Sequence, residues 1–309
     1  MCGIMGYYCF GDKRPSKTKI TTMFALLESR GRDASGYAFI RNGKLVVNKE
    51  AVRASQLVNK PAWQNLELPG ILIAHTRAKT QGTEKNNKNN HPLFNSSGLC
   101  IVHNGMIWND REIFAKSKRE AEVDSLAILE VLSRKKDGDR IKRVFEKLHG
   151  SFAFAAIDTT TPDSLILVKK DNPIELYYSE YEDMLYFCSE REIMQEALLI
   201  SISKKRGFSL GEMGFHFFQM KNNRCLIVNR DGVESYQDYA SSLRRQRFDD
   251  DEYYDSFFGG YGKKKEPFED SVVLQCPYCL EYTRYDPGYL SNKCEHCGIA
   301  IVMEENENV

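Results

Sequence analysis

The sequence predicts an α+β fold of layered antiparallel sheets covered by helices. Three observations point there. Short apolar runs of strand length outnumber helical periodicities, turn residues bound most of those runs, and the helices come in pairs between groups of strands. The first strand is the apolar run Ile4, Met5, Tyr7 and Phe10. Over residues 17–30, Ile20, Met23, Phe24 and Leu27 line one helical face, with Gly31 expected as a C-cap. Residues 37–41 and 44–49 flank Asn42-Gly43, a type I′ hairpin signal. Residues 70–75 and 99–103 read as short buried strands. Between them, residues 84–90 hold only Glu, Lys and Asn and predict a mobile surface loop. Residues 123–132 form an amphipathic helix with Asp124 at its start, where an N-cap explains an aspartate without any function. A second helix, 141–148, stops near Gly150. Strands follow at 152–157, 165–168, 175–178 and 184–188. Ser189 to Glu192 reads as a capping box opening a helix to Leu199. Residues 215–220 and 225–228, with Asn222-Asn223 between, read as a closing hairpin.

Composition narrows the classes of function. Lys and Arg balance Asp and Glu, 43 against 43, so no global field draws the chain to nucleic acid or an anionic membrane. No apolar run approaches the ~20 residues that span a bilayer, and the N-terminus lacks the basic-then-apolar pattern of a signal peptide. Nine cysteines in a chain of 309 residues without that signal suit a reducing cytosol, so a cytoplasmic protein is expected. Cys9, Cys100, Cys188 and Cys225 sit in apolar strand-like runs and read as core fillers.

Composition shifts near Tyr236. Residues 236–270 carry blocks of Arg, Asp, Tyr, Gly and Lys with few aliphatics, and read as a polar linker between a domain at 2–235 and a small unit at 271–303. That unit contains Cys276-Pro277-Tyr278-Cys279 and Cys294-Glu295-His296-Cys297, two C-x-x-C pairs separated by fourteen residues. Tetrahedral Zn²⁺ takes four thiolates from two such turns. A structural zinc ribbon is the reading, because four filled positions leave none open for a catalytic water.

Cys2 carries the chemistry. Removal of Met1 would leave a thiol and a free α-amine on one carbon. An α-amine titrates near ~7.7–8.0, so it can act as base for the thiol at neutral pH. The competing reading is a retained Met1 and an ordinary buried cysteine. Downstream, Arg30 to Gly36 reads as a helix-to-strand connector, and the polar segment His75 to Gly82 follows a strand end, where sites are commonly built. His103-Asn104-Gly105 is either a simple turn or a side-chain and backbone donor pair for an oxyanion.

Together these segments resemble the class II glutamine amidotransferase domain, a member of the N-terminal-nucleophile hydrolases. The matching residues are Cys2-Gly3-Ile4 with Gly6, Arg30-Gly31-x-Asp33 with Gly36, His75-x-Arg77-x-x-Thr80-x-Gly82, His91-Pro92, His103-Asn104-Gly105 and Asp124. Residues 150–158 resemble a later strand of that family, and the resemblance covers 2 to about 235. Ala78 stands where an aromatic is common, and Gln81 where the sugar-aminating members have a histidine.

The resemblance implies a four-layer αββα sandwich and a glutaminase half-reaction. Cys2 would attack the glutamine side-chain amide. Asn104 and Gly105 would hold the oxyanion. Arg77, Thr80 and Asp124 would bind the substrate, Arg77 at its α-carboxylate and Asp124 at its α-ammonium. Family members usually append a synthase, but the residues after 235 hold no phosphate-binding loop and no Gly-rich nucleotide fingerprint. The expected partner is therefore a separate ammonia-accepting synthase chain, with linker and ribbon as docking module. A nucleic-acid acceptor read by the ribbon is the less favoured alternative. Two other classes stay open: a non-catalytic interaction or sensing module, and a different N-terminal-nucleophile amide hydrolase.

Overall fold

The computed structural model describes residues 1–115, 118–133, 140–200 and 210–237, with short strands at 245–246, 272–275, 282–285, 291–293 and 300–302. In chain order the elements are β1 (Gly3–Cys9), α1 (Lys17–Leu26), β2 (Ala34–Arg41), β3 (Lys44–Glu50), α2 (Ala54–Leu57), α3 (Pro61–Gln64), β4 (Ile71–Arg77), β5 (Leu93–Phe94), β6 (Leu99–Ile107) and α4 (Asp110–Ile113). There follow α5 (Leu126–Ser133), α6 (Arg140–Lys147), β7 (Gly150–Asp158), β8 (Thr161–Lys170), β9 (Glu175–Ser179), β10 (Met184–Cys188), α7 (Arg191–Ile200), β11 (Phe215–Gln219), β12 (Arg224–Asn229), β13 (Gly232–Gln237) and β14 (Arg245–Gln246).

Two seven-stranded antiparallel sheets form, in the orders β11-β9-β10-β1-β4-β2-β3 and β14-β13-β12-β8-β7-β6-β5. Strand alternation sorts the side chains. Ile4 and Tyr8 of β1 face inward and meet Val102, Ala155 and Leu167 between the sheets. Met5, Tyr7 and Cys9 face outward and pack beneath Ile20 and Phe24 of α1 and Met194 of α7. On the other side, Ile128 and Val131 of α5 and Val144 of α6 cover Phe152 and Phe154 of β7. The layers run helix, sheet, sheet, helix, as the resemblance implied. Each such large apolar side chain, fully buried, contributes about 1.5–3 kcal/mol.

Several local expectations hold. Asn42 and Gly43 take φ values of 52° and 70°, the two left-handed residues of a type I′ hairpin. Cys9, Cys100, Cys188 and Cys225 are buried and free.

Others are corrected. Gly31 is extended, with φ −173°, so it does not cap α1 in the left-handed region; the helix tightens into a 3₁₀ turn over Leu27–Arg30 instead. Glycine is required there by close approach: a Cβ would stand 2.3 Å from the carbonyl carbon of Arg77. Residues 215–219 and 224–229 are not a hairpin. β11 pairs with β9 in the first sheet and β12 with β8 in the second, so the Asn222-Asn223 turn carries the chain between layers. Asn222 fastens that crossing by accepting from the Asp171 amide at 2.6 Å. Phe218 of β11 and Leu226 and Val228 of β12 share the core between the sheets, while Phe215 and Cys225 pack in the two outer cores.

Residues 85–88 are exposed, as expected of a surface loop, but the end of the segment 84–90 is anchored in the fold. Asn89 and Asn90 are wholly buried. Asn89 donates to Thr83 O and Glu122 Oε2 and accepts from the Glu122 amide. Asn90 donates to Glu84 O, and Lys49 Nζ donates to Asn90 O. Asparagine carries both a donor and an acceptor, so a run that looks merely soluble can satisfy a folded backbone internally.

The four zinc-ligand candidates, Cys276, Cys279, Cys294 and Cys297, lie outside the described residues, as does most of the expected linker. Val272–Gln275 pairs with Tyr282–Tyr285, and Ser291–Lys293 pairs with Ala300–Val302. Each C-x-x-C segment thus falls between the two strands of an antiparallel pair. No helix among the described residues is long and apolar enough to cross a membrane.

Candidate active site

Cys2 precedes β1, and its surroundings hold it from several sides. Ile4 N donates to Ser189 Oγ at 2.9 Å, while the Ser189 amide donates to Ile4 O at 2.9 Å. Ser189, just before α7, thus ties that helix start to β1. Arg30 Nε donates to Cys2 O at 2.8 Å, and its guanidinium is paired with Glu190. Asp33 N donates to Arg77 O, and Asp33 Oδ2 accepts from the Lys79 amide at 2.7 Å. The segment Arg30 to Asp33 is thus more than a connector. It anchors the nucleophile's carbonyl and the end of β4 together. The thiol reaches Ala78 O at 3.5 Å.

Burial pushes the Cys2 thiol above its ordinary value; the chain terminus and Arg77 oppose that shift, and Asp124 adds to it. These influences place the thiol within electrostatic reach of both Arg77 and Asp124. Met1 is 79% exposed, so the residue that must be removed is accessible.

Arg77, at the end of β4, is buried. Its Nη1 donates to Asn90 Oδ1 at 2.8 Å, and its Nη2 donates to the carbonyls of Gln81 and Gly82. A guanidinium has five N–H donors, so two remain for a ligand. Thr80 lies exposed on the same turn and is not drawn into the buried cluster.

Asn104 and Gly105 sit inside β6, in register with Ala153 and Phe152 of β7, so they are not a simple turn. Gly105 has φ +135°, and a Cβ there would lie 2.1 Å from Ser151 O. Asn104 is buried, and its Nδ2 has no hydrogen-bond partner among the described residues. Leaving such a donor unpaired costs about 1–3 kcal/mol.

Asp124 is buried, and its carboxylate does not cap its own helix. Oδ2 accepts from Ile107 N at 2.7 Å, across to the end of β6. His75 Nε2 donates to His103 O at 2.9 Å and joins β4 to β6. Through these bonds the ends of β1, β4 and β6 and the start of α5 form one cluster containing Cys2, Arg77, Asn104, Gly105 and Asp124. No group of three or more His, Cys, Asp or Glu among the described residues is arranged to hold a metal.

Sequence reasoning missed Asn90, Ser189 and Ser125, all buried. The sole available signal for Asn90 was its place directly before His91-Pro92.

The fold and this cluster are similar to those of glutamine amidotransferase domains. Residues 75–196 match the glutamine amidotransferase domain family. The chain is 34% identical over 194 residues to glutamine–fructose-6-phosphate aminotransferase of Aquifex aeolicus, covering 60% of this chain and 32% of that protein. The Helicobacter pylori enzyme of the same name is 28% identical over 318 residues, covering 96% of this chain and 48% of that protein. The chain therefore spans about a third to a half of the curated relatives it matches. Glutamine phosphoribosylpyrophosphate amidotransferase of B. subtilis shares the fold with a TM-score of 0.59 at 18% identity, covering 78% of this chain and 50% of that one. A class II glutamine aminotransferase domain protein of Silicibacter pomeroyi superposes with a TM-score of 0.50 at 17% identity, covering 77% of this chain and all of that one.

Proposed function

We propose that this chain hydrolyses the side-chain amide of glutamine, with Cys2 as nucleophile, and delivers the ammonia to a synthase on a separate chain. The observation that carries the reading is the orphaned Asn104 Nδ2 in the cluster that places Arg77 and Asp124 within electrostatic reach of the Cys2 thiol. After Met1 is removed, the α-amine of Cys2 takes the thiol proton as sulfur attacks the amide carbon. Asn104 Nδ2 and the Gly105 N–H stabilise the resulting oxyanion. The proton returns to the leaving nitrogen, ammonia departs, and water cleaves the thioester to release glutamate and the free thiol. Arg77 attracts the α-carboxylate with its charge and its two remaining N–H donors. Asp124 binds the α-ammonium.

The strand pairs flanking the two C-x-x-C segments support a structural zinc ribbon as the docking module. Its candidate ligands are Cys276, Cys279, Cys294 and Cys297.

The purified chain should release glutamate and ammonia in equal amounts from glutamine, and its intact mass should lack Met1. Turnover of γ-glutamyl peptides in preference to glutamine would identify a different amide hydrolase. Retained Met1 with no turnover of either would leave a non-catalytic module. For the partner, deletion of residues 271–303 should remove a synthase from material co-purifying with the full chain; an unchanged eluate refutes docking through the ribbon.

Asn90→Ala provides a test of the substrate grip. It strips the Arg77 guanidinium of a charge-assisted bond, worth about 1.5–3 kcal/mol. Glutamine KM should rise roughly tenfold or more while kcat changes little, as measured by steady-state glutamate release.

A further inference from the structure

Asp124 and Asn104 each stand beside a buried neighbour, and those neighbours are bonded to each other. His103 Nδ1 lies 2.7 Å from Ser125 Oγ, and Ser125 Oγ lies 3.4 Å from Asp124 Oδ1. Both His103 and Ser125 are 2% exposed. We propose that His103 and Ser125 are positioning residues: an imidazole-to-hydroxyl-to-carboxylate chain that orients the carboxylate of Asp124 and ties it to the strand carrying the oxyanion donors. The proposal rests on the glutaminase reading, in which Asp124 receives the substrate ammonium.

Proton arithmetic sets the direction of the chain. Asp124 Oδ2 accepts from Ile107 N and Oδ1 faces Ser125 Oγ, and each carboxylate oxygen keeps a second lone pair for a ligand. A serine hydroxyl has one proton. Ser125 donates it to Asp124 Oδ1, so its oxygen must accept from His103 Nδ1–H. His103 is then the Nδ1–H tautomer, and its Nε2, which has no partner among the described residues, is a bare lone pair. Burial holds the His103 ring neutral, against the pull of the Asp124 charge. Protonation would bury a second N–H with nothing to receive it. The ring cannot turn freely to another partner. Its own carbonyl is held by His75, and His91, stacked on His75 at 4.2 Å, lies 6.4 Å away. The long Ser125–Asp124 bond is weak, so the hydroxyl acts by directing the carboxylate.

The test compares Ser125→Ala with Ser125→Thr. Ser125→Ala should raise glutamine KM roughly tenfold, the scale of one lost hydrogen bond near a charge, with kcat within about threefold. Ser125→Thr, which keeps the hydroxyl, should restore KM. In ¹⁵N-labelled protein, His103 should show the Nδ1–H tautomer. An unchanged KM in Ser125→Ala overturns the proposal. So does a threonine variant that folds yet is as impaired as alanine, or an Nε2–H signal for His103. If turnover depends on Cys2 but Ser125→Ala behaves as wild type, only this proposal fails. If the wild-type chain neither binds nor turns over glutamine, the glutaminase reading fails and takes this one with it.

Discussion

Cys2→Ala is expected to lower glutamine hydrolysis by at least about 10³-fold, the scale seen when a sole nucleophile is removed, and to leave the fold intact. The two halves of that expectation have separate causes. Structurally, Cys2 precedes β1 and is absent from all three apolar cores. Its side chain makes one weak contact, to Ala78 O. Removing it should shift the unfolding midpoint very little. Chemically, no other residue in the cluster can form the thioester. Burial also pushes the thiol up, so a standing thiolate is not the resting form at neutral pH. Attack therefore needs a base at hand, and the α-amine on the same residue is that base once Met1 is gone. A chain with any residue left before Cys2 should be inactive, and proteolytic exposure of Cys2 should restore turnover. Glutamate release measured on matched tagged and cleaved samples checks this. Equal activity in the two samples would falsify the role of the free amine.

Asn104→Ala should cost about 10²–10³ in kcat, corresponding to about 2.7–4 kcal/mol for one oxyanion donor, with a smaller effect on KM. The same substitution should leave stability unchanged or raise it. The Asn104 amide is a buried donor without a partner among the described residues, so its removal relieves a cost. Activity and stability then move in opposite directions. A residue that only fills the core would lose both together. Parallel measurement of kcat and of chemical unfolding separates the two. A loss of stability with kcat preserved excludes Asn104 from the reaction.

The candidate site residues were legible because each needs a particular functional group. A thiol at position 2, a guanidinium after a strand, an amide beside a glycine and a buried carboxylate can be recognised by type and order. The residues that hold them were not. Asn90, Ser189 and Ser125 are ordinary polar residues whose roles depend on partners 13, 185 and 22 positions away. The run at 84–90 illustrates the difficulty, since the same asparagines that make a loop soluble also let it pin Arg77 from inside. The expected hairpin at 215–228 failed for a related reason. The two strands are adjacent in sequence, but each hydrogen-bonds into a different sheet.

By itself the sequence indicated the α+β class, a candidate nucleophile, and an ordered set of groups suited to grip an amino acid at both ends. Periodicity and side-chain chemistry are local properties, and they survive without coordinates. The tertiary structure alone decided which sheet each strand joins, which carbonyls Arg77 engages, and that the Asn104 donor is left unpaired. These are outcomes of long-range pairing, where a group's role is set by what folding brings against it.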